Sequence, residues 1–317
     1  MYKTVIDEFE CPFCKNTHFA KTILRRVGGT IAECDRCAHL SLWPQPADQE
    51  IVSWYKQSGL AEAKDYGNAL MDNPALRLLE RYDPRKGLRV LDVGCGSGTF
   101  IRKCSQKGYR VSGTEVSENL VEHLIAEGFE VYNNSIEELK NPVKRYDWVT
   151  CLDVIEHVKE PLKAIDNLAN LVGPEGKLAI QTPNGNAIAL YGENAYGLSV
   201  DREHLNYFRP YQLIRLFEDR GFELVCLKYL PRSEGKGRAK VSGKNKCIPN
   251  SPYLETGTVQ AYAVKTAPKG IRKITRALPP AARGPLRSIA QIARFIFSID
   301  EIITGMAHEF IIIMSRS

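Results

Sequence analysis

The sequence lacks the long apolar runs of a membrane-spanning protein. No stretch of 18 or more uninterrupted apolar residues occurs, whereas a helix needs about 20 to cross a bilayer. Residues 1–8 lack the basic and apolar regions of a signal peptide, and the chain contains no internal repeat or low-complexity tract. We therefore expect a globular, cytoplasmic protein, with a peripheral contact at the inner face of the membrane left open.

A strong overall charge and a disulfide pattern are also missing. The formal net charge is +6, and residues 228–246, with seven basic residues and one acidic residue, supply all of it. This segment is interpreted either as a solvated loop or as a contact for a phosphate-bearing substrate. Four of the nine cysteines form two close pairs, which favours metal ligands and free thiols over disulfides. A length of 317 residues suggests about two domains.

Three alternating glycines follow an apolar strand. Residues 89–100 read RVLDVGCGSGTF, and Gly94, Gly96 and Gly98 permit positive φ and a close approach of ligand to backbone at a helix start. A dinucleotide fingerprint has the spacing G-x-G-x-x-G, so the order G-x-G-x-G argues against NAD. The turn predicts a different nucleotide-like cofactor.

Further predicted strands end in polar residues. One ends at Glu115, about 20 residues beyond the turn, where a carboxylate can bind ribose hydroxyls; two more, at 129–132 and 146–152, also lead into polar segments. The carboxyl ends of parallel strands form one ligand-binding edge. With LDVGCGSG, Glu115 and LDVIEH (152–157) in this order, residues 88–229 resemble the class I S-adenosylmethionine-dependent methyltransferases.

The resemblance implies an α/β fold, with a doubly wound, seven-stranded, Rossmann-like sheet whose last strand is antiparallel. It implies that Asp92 and the glycine turn lie near the methionine part of the cofactor, that Glu115 binds both ribose hydroxyls, and that Ser135 and Ile136 flank the adenine. Many relatives carry an aspartate at the Ser135 position, so we expect a weaker adenine contact here. The predicted cofactor contacts are Asp92, Gly94, Cys95, Gly96, Gly98, Glu115, Val116, Ser135, Ile136, Leu152 and Asp153.

The cysteine pairs predict a small zinc ribbon before this domain. Cys11 and Cys14 are followed, after 19 residues, by Cys34 and Cys37, which is the spacing of a structural zinc site with no open position for catalysis. Metal binding contributes about 10–16 kcal/mol in small zinc peptides, so zinc is expected to supply much of the folding energy of this module. His18 and His39 are surplus to four ligands, and we expect them at the surface or beside the site.

Few residues near the expected pocket can accept a proton from a hydroxyl acceptor. Histidine suits this role near neutral pH, and we favour His204, in a predicted lid loop at 201–208, over His157. Asp153 is expected to contact the substrate or the amino group of the cofactor. Asp153, Glu156 and His157 also resemble an acid-acid-His cluster in quinone-biosynthesis O-methyltransferases, some of which use a divalent ion, and this alternative stays open.

The chain divides into four predicted parts: a zinc-ribbon-like module at 1–46, a helical cap or linker at 47–87, a methyltransferase domain at 88–230 plus 307–317, and an insertion at 231–306. Within the insertion, residues 286–300 predict an amphipathic helix. This helix is expected to cover the core, or to contact a membrane surface or a partner helix.

The whole chain resembles methyltransferases of bacterial sugar and surface-glycan pathways, on the cysteine module, the glycine turn, LDVIEH and the segment at 201–208. This resemblance implies O-methylation of a sugar hydroxyl on a small-molecule or glycan-precursor substrate. Three alternatives remain: a quinone or phenol O-methyltransferase with a divalent ion, a zinc-assisted RNA methyltransferase, and a cofactor-binding regulator without catalysis. Nucleic acid is not expected, because the module lacks interleaved aromatic and basic residues. The sequence does not indicate an oligomeric state.

Overall fold

The structure is a computed structural model that describes residues 9–17, 20–26, 29–47, 49–51, 74–139, 144–191, 203–230 and 309–316. The predicted helix at 286–300 and residues 231–246 of the basic segment lie outside this part of the chain. The predicted boundaries between the four parts stay predictions. Among the described residues, no helix is both long enough and apolar enough to cross a membrane.

Two β-sheets and several helices form the described part of the chain. The strands are β1 (Ala20–Arg26), β2 (Gly29–Cys34), β3 (Leu40–Trp43), β4 (Arg89–Val93), β5 (Arg110–Glu115), β6 (Glu130–Asn133), β7 (Tyr146–Leu152), β8 (Val172–Pro183), β9 (Asn206–Tyr207), β10 (Phe222–Leu230) and β11 (Glu309–Arg316). The helices are α1 (Pro74–Tyr82), α2 (Thr99–Gln106), α3 (Glu118–Ala126), α4 (Pro161–Leu171), α5 (Gly185–Tyr191) and α6 (Pro210–Glu218).

The larger sheet has seven strands in the order β10-β11-β8-β7-β4-β5-β6. Strands β8, β7, β4, β5 and β6 are parallel, and β11 is antiparallel to both of its neighbours. This topology confirms the predicted methyltransferase sheet. It also brings the carboxyl ends of β4, β5, β6 and β7 to one edge, where open parallel sheets bind ligands.

Helices cover both faces of this sheet, and the side chains of β11 pack against the helices on both faces. Its buried residues Phe310, Ile312 and Met314 pack with α4 and α6, whereas Ile311 and Ile313 pack with α1 and α2. Successive side chains of a strand point to opposite faces, and a sheet that is covered on both faces needs an unbroken apolar run. The run FIIIM meets that requirement.

The smaller sheet is antiparallel, in the order β1-β2-β3-β9. Its first three strands belong to the cysteine module, but β9 comes from the segment that was predicted as a lid loop over the pocket. In β9, Asn206 pairs with Ser41 and Tyr207 with Leu40. The pairing fixes part of the predicted lid against the module.

The chain does not pass directly from β7 into an α-helix. Residues Ile155–His157 form a single 3-10 turn, and the α-helix begins only at Pro161. Proline suits the first helical turn, because no N–H is required there. The 3-10 turn leaves Glu156 and His157 in a short connection between β7 and α4.

Candidate active site

The glycine turn joins β4 to α2. Gly94, Gly96 and Gly98 have φ of 72°, 51° and 81°, in the region that favours glycine. A Cβ on Gly94 would lie 2.4 Å from Cγ2 of Val154, and one on Gly98 would lie 2.3 Å from Cδ2 of Leu124. A Cβ on Gly96 would meet no heavy atom within 4 Å. Gly94 and Gly98 are therefore needed for close packing, whereas Gly96 borders open space.

Glu115, at the end of β5, connects three backbone groups of the predicted donor site. Its Oε1 accepts hydrogen bonds from the N–H groups of Val116 and Ser117, at 2.8 and 2.9 Å, and its Oε2 accepts one from the N–H of Gly96, at 2.9 Å. A carboxylate offers about four lone-pair sites, so it retains acceptor capacity for a ligand hydroxyl. Its contact with ribose stays a prediction.

Asp92 is buried in β4, and Thr150 lies on the adjacent strand β7. The Thr150 hydroxyl donates to Asp92 Oδ1 at 2.7 Å. Burial raises the pKa of Asp92 to about 7; the nearby charge of Glu115 adds to this, and the Thr150 hydrogen bond opposes it. Asp92 therefore exchanges a proton near neutral pH.

The Cys95 side chain packs into the core. It belongs to a buried cluster with Ile101, and a Cβ on Gly113 would lie 2.7 Å from its Sγ. Burial raises the pKa of its thiol. Cys95 can therefore offer the predicted cofactor its backbone rather than a thiolate.

The residues predicted around the adenine occupy different environments. Val116 is 42% exposed, whereas the Ile136 side chain is buried in the main core cluster. The carbonyl of Ile136 accepts a hydrogen bond from Asn167 Nδ2 at 2.8 Å. Ser135 is half-buried, and its N–H donates to Glu138 Oε2 at 3.1 Å. The contact of these residues with an adenine stays a prediction.

Asp153 follows β7 and is paired with Gln181 of β8. Gln181 Nε2 donates to Asp153 Oδ2, and the Asp153 N–H donates to the Gln181 carbonyl, both at 3.0 Å. Asp153 has φ of 54°, which is uncommon outside glycine and is often found at functional sites. The side chain reaches solvent, but the surrounding protein reduces its hydration and raises its pKa to about 6. The half-buried Leu152 precedes it.

His157 is held in one tautomer. Its Nδ1 lies 3.0 Å from the carbonyl oxygen of Glu203, and because a carbonyl can only accept, Nδ1 carries the proton. Burial lowers the pKa of His157 to about 4, and the hydrogen bond to Glu203 opposes this shift. The ring is therefore neutral at physiological pH, with the lone pair on Nε2.

A carboxylate and a second imidazole lie beside that lone pair. His157 Nε2 is 4.0 Å from Oε1 of Glu156, and the ring centroids of His157 and His204 are 4.7 Å apart. Glu156 is fully buried, and the Thr182 hydroxyl donates to its Oε2 at 2.9 Å. One ligand atom from each of Glu156, His157 and His204 lies within 4.8 Å of the others, so the three could hold a metal ion.

The segment that carries His204 is fastened on both sides. The N–H of Leu205 donates to the carbonyl of Glu156 at 2.8 Å, and the Leu205 carbonyl accepts from the N–H of Leu42 in β3 at 2.9 Å. The structure thus brings His204 and His157 together, and it anchors both between the large sheet and the cysteine module.

The four module cysteines form one cluster. Sγ of Cys11 is 3.6 Å from that of Cys37, and Sγ of Cys14 is 3.6 Å from that of Cys34; all four lie within 4.8 Å of one another. A tetrahedral zinc with Zn–S bonds of about 2.3 Å places its sulfurs about 3.8 Å apart. A hydrogen bond from Cys37 lowers the pKa of Cys11 to about 5, against the effect of burial. The donor set and its spacing fit zinc.

His39 is buried rather than at the surface, where the sequence allowed it to lie. It is fully buried, stacked on Phe13 with centroids 4.8 Å apart and tilted against Phe208 at 5.2 Å. Burial lowers its pKa to about 4, and its Nε2 lies 3.0 Å from Asn206 Oδ1. Two of these partners are far away in the sequence, so no local pattern identifies them. His18 lies outside the described residues.

Comparison with known proteins identifies the family of the chain. A family model described as "Methyltransferase domain" matches residues 41–227, more than half of the chain. A ubiquinone biosynthesis O-methyltransferase of Coxiella burnetii is 33% identical over 167 residues, covering 48% of this chain and 71% of that protein. One from Vibrio cholerae is 31% identical over 172 residues, covering 49% and 70%.

Among solved structures, a SAM-dependent methyltransferase from Archaeoglobus fulgidus is 20% identical, with a TM-score of 0.46 and coverage of 76% of this chain and 93% of that chain. The family match and the curated relatives carry the assignment. The chain belongs to the methyltransferase domain family and is an S-adenosylmethionine-dependent methyltransferase.

Proposed function

We propose that the protein transfers the methyl group of S-adenosylmethionine to the hydroxyl oxygen of a phenol or quinol, rather than to the sugar hydroxyl that the sequence favours. The observation that carries this proposal is the His157–His204 pair, whose ring centroids are 4.7 Å apart. His157 belongs to the same connection after β7 as Asp153 and Val154, and Val154 packs on Gly94 of the glycine turn. The names of the relatives, O-methyltransferases of ubiquinone biosynthesis, support a quinone-type acceptor.

The basicity of these groups favours an acidic hydroxyl. In the reaction the S–CH3 bond breaks, an O–CH3 bond forms, S-adenosylhomocysteine leaves, and the hydroxyl proton passes to a base. The pKa of Asp153 is about 6 and that of His157 is about 4. A phenol has a pKa of about 10, whereas an aliphatic sugar hydroxyl is a weaker acid and has a higher pKa. Proton transfer to these side chains therefore costs much less free energy from a phenol than from a sugar hydroxyl.

A divalent cation held by Glu156, His157 and His204 is a second candidate element of the site. One carboxylate and two imidazoles are ligands used by zinc and by other transition metals. His157 donates its Nδ1 proton to a backbone carbonyl, the usual way in which a metal-binding histidine is oriented. A bound cation would lower the pKa of a coordinated acceptor hydroxyl. The protein residues would orient the acceptor and exclude water.

We also propose that Cys11, Cys14, Cys34 and Cys37 hold a structural zinc ion. Four thiolates complete a tetrahedral site and leave no position for a substrate. This zinc would therefore support folding of the module, separately from any cation at His157 and His204. Total metal content, measured before and after mild chelation, distinguishes one tightly held ion from two.

The test is formation of S-adenosylhomocysteine with matched acceptors. Catechol and hydroquinone serve as phenolic probes, and methyl glucoside and UDP-glucose as sugar probes, each with and without EDTA. We expect turnover with the phenolic probes, and loss of kcat in Asp153→Asn and His204→Gln. His123→Gln is the matched control, because His123 is an exposed residue of α3 whose ion pair is with Glu127.

The outcomes separate the alternatives. Turnover only with the sugar probes would restore the sugar assignment and refute the phenol proposal. Donor binding without turnover of any hydroxyl probe would refute the phenol proposal and favour an acceptor of another class. Sensitivity to EDTA that added Mn²⁺ or Fe²⁺ reverses, while the zinc of the cysteine module is retained, would support the cation. Phenol turnover that EDTA leaves unchanged would remove the cation from the mechanism.

A further inference from the structure

Asn206 is a buried amide that contacts two separate parts of the chain. It is fully buried in β9, its Oδ1 lies 3.0 Å from His39 Nε2, and its Nδ2 donates to the carbonyl of Val158 at 2.6 Å. A buried amide that is hydrogen-bonded through both its oxygen and its nitrogen favours one arrangement of its surroundings. Asn206 thereby fixes the distance between the module and the residue that follows His157.

The direction of these hydrogen bonds follows from their partners. The Val158 carbonyl can only accept, so the amide nitrogen of Asn206 faces it and the amide oxygen faces His39. His39 must then donate from Nε2, which carries a proton both in the required neutral tautomer and in the charged ring. The backbone of His39 is also fixed, because its carbonyl accepts from the N–H of Cys34 at 2.9 Å. His39 is therefore a rigid extension of the cysteine module.

The chain segments that Asn206 joins also carry the proposed reactive groups. His204 lies two residues before Asn206, and His157 lies directly before Val158. His157 Nδ1 donates to the carbonyl of Glu203 at 3.0 Å, so a shift of the 203–206 segment would rotate the imidazole. A displacement of about 1 Å at a reacting group can lower a rate by about a hundredfold.

We infer that Asn206 is a positioning residue, held by His39, through which the four-cysteine module sets the geometry of the His157–His204 pair. The inference rests on the proposed function, because it assigns the pair to the acceptor side of the reaction. It gives the module a role in methyl transfer besides stability.

Two variants of His39 test the inference. His39→Leu removes the donor to Asn206 but keeps an apolar side chain between Phe13 and Phe208. We expect kcat to fall by about ten- to a hundredfold, with the zinc content and the Kd for S-adenosylmethionine unchanged. His39→Gln supplies an amide donor for Asn206 Oδ1, and we expect it to restore most of the lost kcat.

Glu33→Gln is the matched control at the same interface. Glu33 of β2 pairs with Arg209 at 2.7 Å, so this variant weakens the attachment of the module without removing the His39–Asn206 hydrogen bond. We expect kcat to stay within about twofold of the unmodified protein, because the His39–Asn206 hydrogen bond that positions residues 203–206 is retained. An equal loss of kcat in Glu33→Gln and His39→Leu would overturn the inference, as would full kcat in His39→Leu.

A spectroscopic readout separates this inference from the proposed function. The imidazole ¹H–¹⁵N signals of His157 and His204 report tautomer and ring environment without any acceptor. They should shift in His39→Leu but not in Glu33→Gln; unchanged signals in His39→Leu would refute positioning even if no acceptor is turned over. If His39→Leu does not fold, Asn206→Ser, which removes the donor to Val158, is measured in the same way with the same two outcomes.

Discussion

Alanine substitution of two glycines in the same turn should affect mainly stability in one case and mainly donor affinity in the other. Gly96 and Gly98 both have positive φ, of 51° and 81°. A Cβ on Gly98 would lie 2.3 Å from Cδ2 of Leu124 in α3, whereas a Cβ on Gly96 would meet no heavy atom within 4 Å. The two substitutions therefore share backbone strain and differ in packing.

The expected loss of stability follows from these two effects. A left-handed conformation costs a residue other than glycine about 1–2 kcal/mol, and overpacking a core costs about 1–3 kcal/mol. Gly98→Ala should therefore lower the free energy of unfolding by about 2–5 kcal/mol, and Gly96→Ala by about 1–2 kcal/mol, against a typical total of about 5–15 kcal/mol.

Affinity for the donor should show the reverse order. The space beside Gly96 borders the backbone N–H that donates to Glu115, which is where the cofactor is predicted to lie. A methyl group there should weaken S-adenosylmethionine binding by more than about tenfold, or about 1.4 kcal/mol. Gly98→Ala should bind nearly normally once folded, because its extra methyl meets Leu124.

Urea unfolding and calorimetric titration with S-adenosylmethionine measure the two quantities in the same samples. The midpoints of unfolding should be compared at equal slope m, since a changed slope indicates a changed denatured state or loss of two-state behaviour. Normal donor affinity in Gly96→Ala would refute the placement of the cofactor against this glycine. Equal stability of the two variants would refute the packing argument for Gly98.

Three further predictions concern other parts of the site. Glu115→Ala should weaken donor binding in calorimetry by roughly 1.5–3 kcal/mol for each charge-assisted hydrogen bond lost, and an unchanged Kd would contradict the ribose contact. Cys11→Ser should lower the zinc content and increase proteolysis of the module, and stoichiometric zinc in a protected module would count against the four-thiolate site. Asp92 has a folded pKa of about 7, raised by burial, so the folded state binds more protons than the unfolded state between about pH 4 and 7 and stability falls as the pH rises through this range. Asp92→Asn should remove that slope from denaturation curves, and a slope that persists would show that another group causes it.

The parts of the site that could be predicted from sequence are those encoded by consecutive residues. Strand β7 occupies residues 146–152, as predicted, because an apolar run between polar segments defines it. The glycine turn has positive φ at each alternating glycine, and the two cysteine pairs meet in one cluster. Each of these features is encoded by a short segment of the sequence, or by two segments with a characteristic spacing.

The parts of the site that could not be predicted depend on contacts between residues that are far apart in the sequence. A strand of two residues such as Asn206–Tyr207 is too short to show alternation, and it is a strand only because Leu40 and Ser41 pair with it. His39 looks surplus when four cysteines complete a site, yet Phe208 and Asn206 bury it. For the same reason the sequence predicts only a lid loop at 201–208, of which Asn206–Tyr207 forms the strand β9.

The predicted donor side and the proposed acceptor side differ in how far apart their residues lie in the sequence. The donor side is local, because Gly96 and Glu115 come from successive strand ends and one hydrogen bond joins them. On the acceptor side, His204 lies beside His157 in a segment that β9 fixes to β3 of the cysteine module. The glycine turn and Glu115 are therefore predicted to encode donor binding, and we propose that the contact between module and sheet shapes the acceptor side. Substitutions along the β3–β9 pairing are those expected to change the acceptor while donor affinity is retained.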